Sequence, residues 1–121
     1  MNDAFVARWI DDWNQKNLES ILAHCANEIE FVSPKALQIT GAATLHGKEA
    51  LRNYWTSALQ KINDLHFTLD HWTWDVEKRE LLIVYDSRLN GIATRACEII
   101  RFGPDGLANY GEAMYGVPLH S

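Results

Sequence analysis

No stretch of this 121-residue chain approaches the roughly 18 consecutive apolar residues of a membrane span, so a membrane partner is not expected. Met1-Asn2-Asp3-Ala4-Phe5 shows no basic region followed by an apolar run, which argues against a secretory leader. The chain has two cysteines, Cys25 and Cys97, far apart and outside any CxxC or Cys/His spacing. A disulfide is therefore not expected, and reduced thiols in a soluble, cytoplasmic protein are. There is no HxH or HExxH spacing, and His66 and His71 are an odd number of residues apart on one predicted strand, hence on opposite faces. No metal and no cofactor are expected. A basic stripe is also missing: the formal net charge is -5 and Lys78-Arg79 reads as a turn, so nucleic acid is not an expected partner.

What is present is enough for one domain spanning residues 1–121. A hydrophobic content of 47% supports a core without disulfide or metal staples, and no repeat, low-complexity segment or linker interrupts it. Phe5, Val6, Trp9, Ile10 and Trp13 recur at spacings of three and four, predicting a helix over 4–16. Asn17 is placed to cap a short second helix carrying Ile21, Leu22 and Cys25. Near Glu28 the period changes to two, with Ile29, Phe31 and Ser33 on one side, and Pro34 ends that strand. Residues 34–47 read as a connection, a lid or small hairpin with Leu37 and Ile39 as strand positions. A third helix follows over 48–61, then strands at 65–75, 80–89, 92–102 and 107–116, with Asn90-Gly91 and Gly103-Pro104-Asp105-Gly106 as hairpin turns. Helices first and strands afterwards predict an α+β domain.

The most informative residue is Glu98, in Ala96-Cys97-Glu98-Ile99-Ile100-Arg101-Phe102. Alternation places its carboxyl with Ala96, Ile100 and Phe102, an acid on an apolar strand face. If that face lines a pocket, burial disfavours the charged form and makes Glu98 a candidate proton donor or shuttle. Alternation alone leaves open a surface glutamate or an ion pair with Arg95 or Arg101.

Several segments together carry a family resemblance: Arg8-Trp9-Ile10-Asp11-Asp12-Trp13-Asn14, Asn17-Leu18, Ile29-Glu30-Phe31-Val32-Ser33-Pro34, Gly47-Lys48-Glu49-Ala50-Leu51, and Glu98 to Phe102 with Pro104-Asp105-Gly106. In order and spacing they are similar to the SnoaL-like branch of the nuclear transport factor 2-like superfamily. The resemblance implies three helices packed on a strongly curved mixed or antiparallel sheet, forming a cone with an internal cavity, and a homodimer through the sheet. The superfamily includes ketosteroid isomerase, dehydratases, cyclases, epoxide hydrolases and non-catalytic domains, so fold alone does not decide function.

Against ketosteroid isomerase, whose oxyanion hole combines a tyrosine with a protonated aspartic acid, the acid position falls on Glu98. The base falls on Ser33, the hole tyrosine on Trp9, and a supporting tyrosine on Trp55. A serine is too weak a base to move a proton between carbons, and an indole can donate but not accept. Standard steroid isomerisation is therefore not expected.

What remains is a predominantly aromatic cavity. Its helical wall is expected to carry Trp9, Trp13, Tyr54 or Trp55, and Leu59; its sheet wall Phe31, Ser33, Glu98, Ile100 and Tyr115. Asp12 and His24, on consecutive helices, are candidates for a catalytic dyad. Trp72 and Trp74, read as sharing a face with His66, Thr68 and Asp70, suit a dimer interface, with core packing as the competing reading. Arg88 and Arg95 read as solvated charges. The functional expectation is a cofactor-independent isomerase, cyclase or dehydratase acting on a small hydrophobic or aromatic substrate. The alternative is a non-catalytic ligand-binding or dimeric association domain.

Overall fold

The computed structural model describes residues 1–119. Helix α1 (Asp3–Asn14) starts where the Asn2 side chain accepts from the Phe5 amide at 2.9 Å, and its stripe of Val6, Trp9 and Trp13 is buried. Asn17 caps α2 (Leu18–Leu22) by accepting from the Ser20 amide, as its position predicts. Strand β1 (Cys25–Val32) begins three residues before the alternating period becomes visible. Its irregular pairing with β6, between Cys25 and Glu30, breaks the alternation there.

The segment expected to be a connection contains a helix, α3 (Pro34–Thr40), so four helices are present. Ser33 is the N-cap, its hydroxyl accepting from the Lys35 amide at 3.2 Å, and Pro34 opens the first turn with its fixed φ. Gly41, at φ 84°, closes the helix through its amide to the Leu37 carbonyl. Leu37 and Ile39 are exposed helical residues and not strand positions. A three-residue strand, β2 (Thr44–His46), then pairs with β1, and α4 (Lys48–Gln60) buries Leu51, Tyr54 and Trp55.

Strands β3 (Leu65–Asp75), β4 (Glu80–Leu89), β5 (Ile92–Phe102) and β6 (Ala108–Pro118) complete a six-stranded sheet of order β2-β1-β6-β5-β4-β3. Only the β1–β6 pair is parallel; consecutive hairpins join β3 to β6. The Asn90-Gly91 turn has both residues at positive φ, the geometry of a tight hairpin turn that follows strand twist. The Asn90 side chain also accepts from the Asn63 and Asp64 amides, tying the end of α4 to this hairpin. At the sheet edge, Asn14 exchanges two hydrogen bonds with the Phe67 backbone, covering part of an otherwise open strand.

The helix-facing side of the sheet carries the core, with Leu81, Ile83 and Tyr85 almost fully buried beneath α1. A bulge between Leu69 and His71 inserts one residue into β3 and reverses its alternation. Trp72 then lies opposite buried Ile83 and Trp74 opposite buried Leu81. Both tryptophans are consequently on the helix side, away from His66 and Thr68. The Trp72 indole donates to Asp3 at 2.8 Å, and Trp74 packs on Phe102 with centroids 5.9 Å apart. Arg95 is likewise not a free charge: its guanidinium donates to Asp86 and Asp70 on the other face.

Candidate functional site

Glu98 lies in the middle of β5, opposite Ile83 of β4 and Ala113 of β6, and is only 7% exposed. Arg95 and Arg101 point to the opposite face, where they pair with Asp70, Asp86 and Glu80, so neither neutralises it. Among the described residues its carboxyl has no hydrogen-bond partner. Burial without a counter-ion lifts its pKa to about 8. At neutral pH Glu98 is therefore mostly a neutral carboxylic acid.

The carboxyl borders an open cavity of about 310 Å³ lined by residues of α1, α3, α4 and the sheet. Phe31 of β1 and Trp55 of α4 meet edge to face at 5.3 Å, and Trp13 of α1 meets Trp55 at 5.0 Å. These three line the cavity together with Tyr54, Leu59, Ser33 and Tyr115, all expected in its wall from the family resemblance. Two anticipated residues are elsewhere. Trp9 and Ile100 line a separate pocket of about 30 Å³ behind Glu98, because α1 crosses β3 and stacks Trp9 on Phe67 and against Tyr85. Glu98, Phe31 and Trp55 form the partition between the two spaces.

The Asp12–His24 dyad does not form. Asp12 is buried and accepts from the Ser20 hydroxyl at 2.8 Å, fastening α1 to α2, and it lines neither space. The half-buried His24 ring packs edge-on against Phe5 at 5.1 Å and borders only the small rear pocket. The two side chains serve packing and helix-to-helix fastening, each in its own place.

Sequence reasoning missed Tyr85, Phe67 and Lys35. Tyr85 is 2% exposed, shares the inner face with Leu81 and Ile83, and adds a phenol to the cavity wall. The alternation in Leu81-Leu82-Ile83-Val84-Tyr85 carried that signal. Burial raises the pKa of the Tyr54, Tyr85 and Tyr115 phenols, and the nearby Glu98 raises them further. The Ser33 hydroxyl acts in the opposite sense on Tyr54 and Tyr115. Three protonated phenols, one serine hydroxyl and a neutral acid thus surround one apolar space. The Trp13 indole nitrogen, also in this wall, is buried without a hydrogen-bond partner.

Such a set can donate hydrogen bonds to a ligand oxygen, and Glu98 can exchange a proton near neutrality. Among the described residues no three metal-ligating side chains converge, and no helix is long and apolar enough to cross a membrane.

No curated protein matches the chain. A crystal structure of a SnoaL-like protein of unknown function from Burkholderia thailandensis is 35% identical, with 96% of this chain and 98% of that one covered and a TM-score of 0.82. Two more distant structures share the fold. One is an epoxide hydrolase/cyclase-like enzyme from pyran ring formation in the polyether salinomycin (12% identity, 93% and 88% covered, TM-score 0.73). The other is a protein of ketosteroid isomerase-like fold from Catenulispora acidiphila, solved in complex with trimethylamine (17% identity, 97% and 88% covered, TM-score 0.72). The SnoaL-like domain family itself matches over residues 6–109, and with that span of the cone covered, the chain belongs to this family.

Proposed function

We propose that this SnoaL-like domain binds a small hydrophobic or aromatic molecule and moves a proton on it without a cofactor, as an isomerase, cyclase or dehydratase does, with Glu98 carrying the proton. The observation that supports this most is the Glu98 carboxyl itself, buried at the cavity wall with no partner and a pKa of about 8. An unpaired buried acid is costly to stability, and near pH 8 it can act as either acid or base. A cavity of about 310 Å³ is at the small end of ligand sites, which run from roughly 300 to 1,000 Å³, and suits one or two fused rings.

The alternative, ligand binding without chemistry, is favoured by two observations: among the described residues Glu98 is the only carboxylate on the cavity wall, and Ser33 serves as a helix cap. Proton exchange separates the two readings. With 2-tetralone in deuterated buffer, the first predicts enzyme-dependent deuterium uptake beside the carbonyl, rising through about pH 8 and falling at least ~100-fold in Glu98→Gln. Binding of 2-tetralone with no accelerated exchange would leave the non-catalytic reading.

A homodimer through the outer sheet face belongs to the same proposal. In place of the two tryptophans, the cross-strand neighbours Leu82, Val84, Cys97, Ile99 and Met114 supply an apolar patch there. Sedimentation giving only monomers at micromolar concentration would remove it.

A further inference from the structure

Lys35 stands at the cavity wall on the first turn of α3, and its ammonium lies 4.4 Å from the centroid of the Tyr115 ring. It is half-buried, and among the described residues it has no carboxylate partner. Lys61 and Asn90 also line the cavity, and among the described residues Glu98 is its one acidic side chain. Among the described residues the lining therefore includes two lysines, while its one carboxyl, that of Glu98, is mostly neutral at pH 7, in a chain whose net charge is -5. Acidic residues are plentiful on this molecule, yet among the described residues none but Glu98 lines the cavity.

A partly buried ammonium facing only an aromatic ring has lost water and gained a weak substitute. Burial accordingly pulls its pKa below the ordinary lysine value. Lys35 and Glu98 both line the cavity and do not meet as an ion pair. A ligand filling that space can satisfy both at once.

We propose that Lys35 is an anion anchor and that the natural ligand is a one- or two-ring hydrophobic molecule bearing a carboxylate or similar anionic group at the end remote from the oxygen that meets Glu98. This rests on the small-molecule reading of the same cavity and adds to it a charge and an orientation. Tyr115 supports the anchor from below with its ring face, and Ser33, as the cap of α3, fixes where the lysine stem starts.

Isothermal titration at pH 7 with 2-naphthoate and its methyl ester tests this. The wild-type protein is expected to bind the naphthoate at least about tenfold more tightly than the ester, the scale of one charge-assisted hydrogen bond. Lys35→Met should remove that preference by weakening the naphthoate far more than the ester, and Lys35→Arg should restore most of it. Retained ester binding by Lys35→Met also shows that the variant is folded. Equal binding of both probes by the wild type, or an unchanged preference in Lys35→Met, overturns the anion anchor and leaves the neutral-ligand cavity standing. Binding of neither probe overturns both.

Discussion

Replacing Glu98 by glutamine should make the protein more stable, and more so as pH rises. The unfolded-state value for a glutamate is 4.5 and the folded value here is about 8, so the folded state keeps its proton over a range in which the unfolded state loses it. Below about pH 4.5 both states are protonated and the residue contributes nothing to the pH dependence. Between about pH 4.5 and 8 the unfolded state binds fewer protons, so stability falls with rising pH by about 1.4 kcal/mol per pH unit. Above about pH 8 both states are ionised and the full cost remains, on the order of 5 kcal/mol. Glutamine keeps the shape and cannot ionise. The stability difference between Glu98→Gln and wild type should therefore increase from its value near pH 4.5, level off above about pH 8, and change by several kcal/mol in between. Urea unfolding followed by tryptophan fluorescence at a series of pH values measures it, and taking the difference cancels the other carboxylates. A difference that stays flat across this range would refute the claim that the buried acid is protonated in the folded protein.

Gly111 lies beneath Phe31, and a Cβ there would approach the ring edge at 3.0 Å, so Gly111→Ala should cost about 1–3 kcal/mol in unfolding measurements and weaken naphthoate binding by displacing Phe31. Ser33→Ala removes the cap of α3 and should lower stability by about 1 kcal/mol, with faster hydrogen exchange confined to residues 34–40. Asp12→Asn should leave deuterium exchange into 2-tetralone unchanged, whereas Asp12→Ala should lose about 1–3 kcal/mol of stability because the Ser20 hydroxyl loses its acceptor. A change in exchange rate in the asparagine variant would restore Asp12 as a participant.

Much of this architecture was legible because local and tertiary demands agree. The stripe through Val6, Trp9 and Trp13 and the alternation around Glu98 each had one way to bury their apolar side, and the hairpin turns followed from residues that tolerate positive φ. The errors fall where a single strong local signal was read in the wrong context. Pro34 stops a strand, yet after a serine cap it equally starts a helix, and reading only the first hid α3 and with it Lys35. The Trp72 and Trp74 assignment failed because alternation assumes an unbroken ladder. Trp9 was placed in the large cavity because its helix face is correct, but the direction in which α1 crosses β3 is a tertiary fact. The Asp12 and His24 spacing was real, though a carboxylate accepting from a neighbouring serine needs no catalytic purpose.

The bulge in β3 has a consequence for which changes this gene can absorb. Leu69, Asp70 and His71 are at the surface, where side chains are ordinarily exchangeable and small insertions go unnoticed. Pairing straight through the whole strand would swing Trp72 and Trp74 out into solvent and bring His71 and Thr73 against Ile83 and Leu81, whereas losing the extra residue itself would keep Trp72 opposite Ile83 and Trp74 opposite Leu81. The stretch should accept almost any polar identity and even the loss of its extra residue, because the register beyond it is held by the two buried-facing tryptophans.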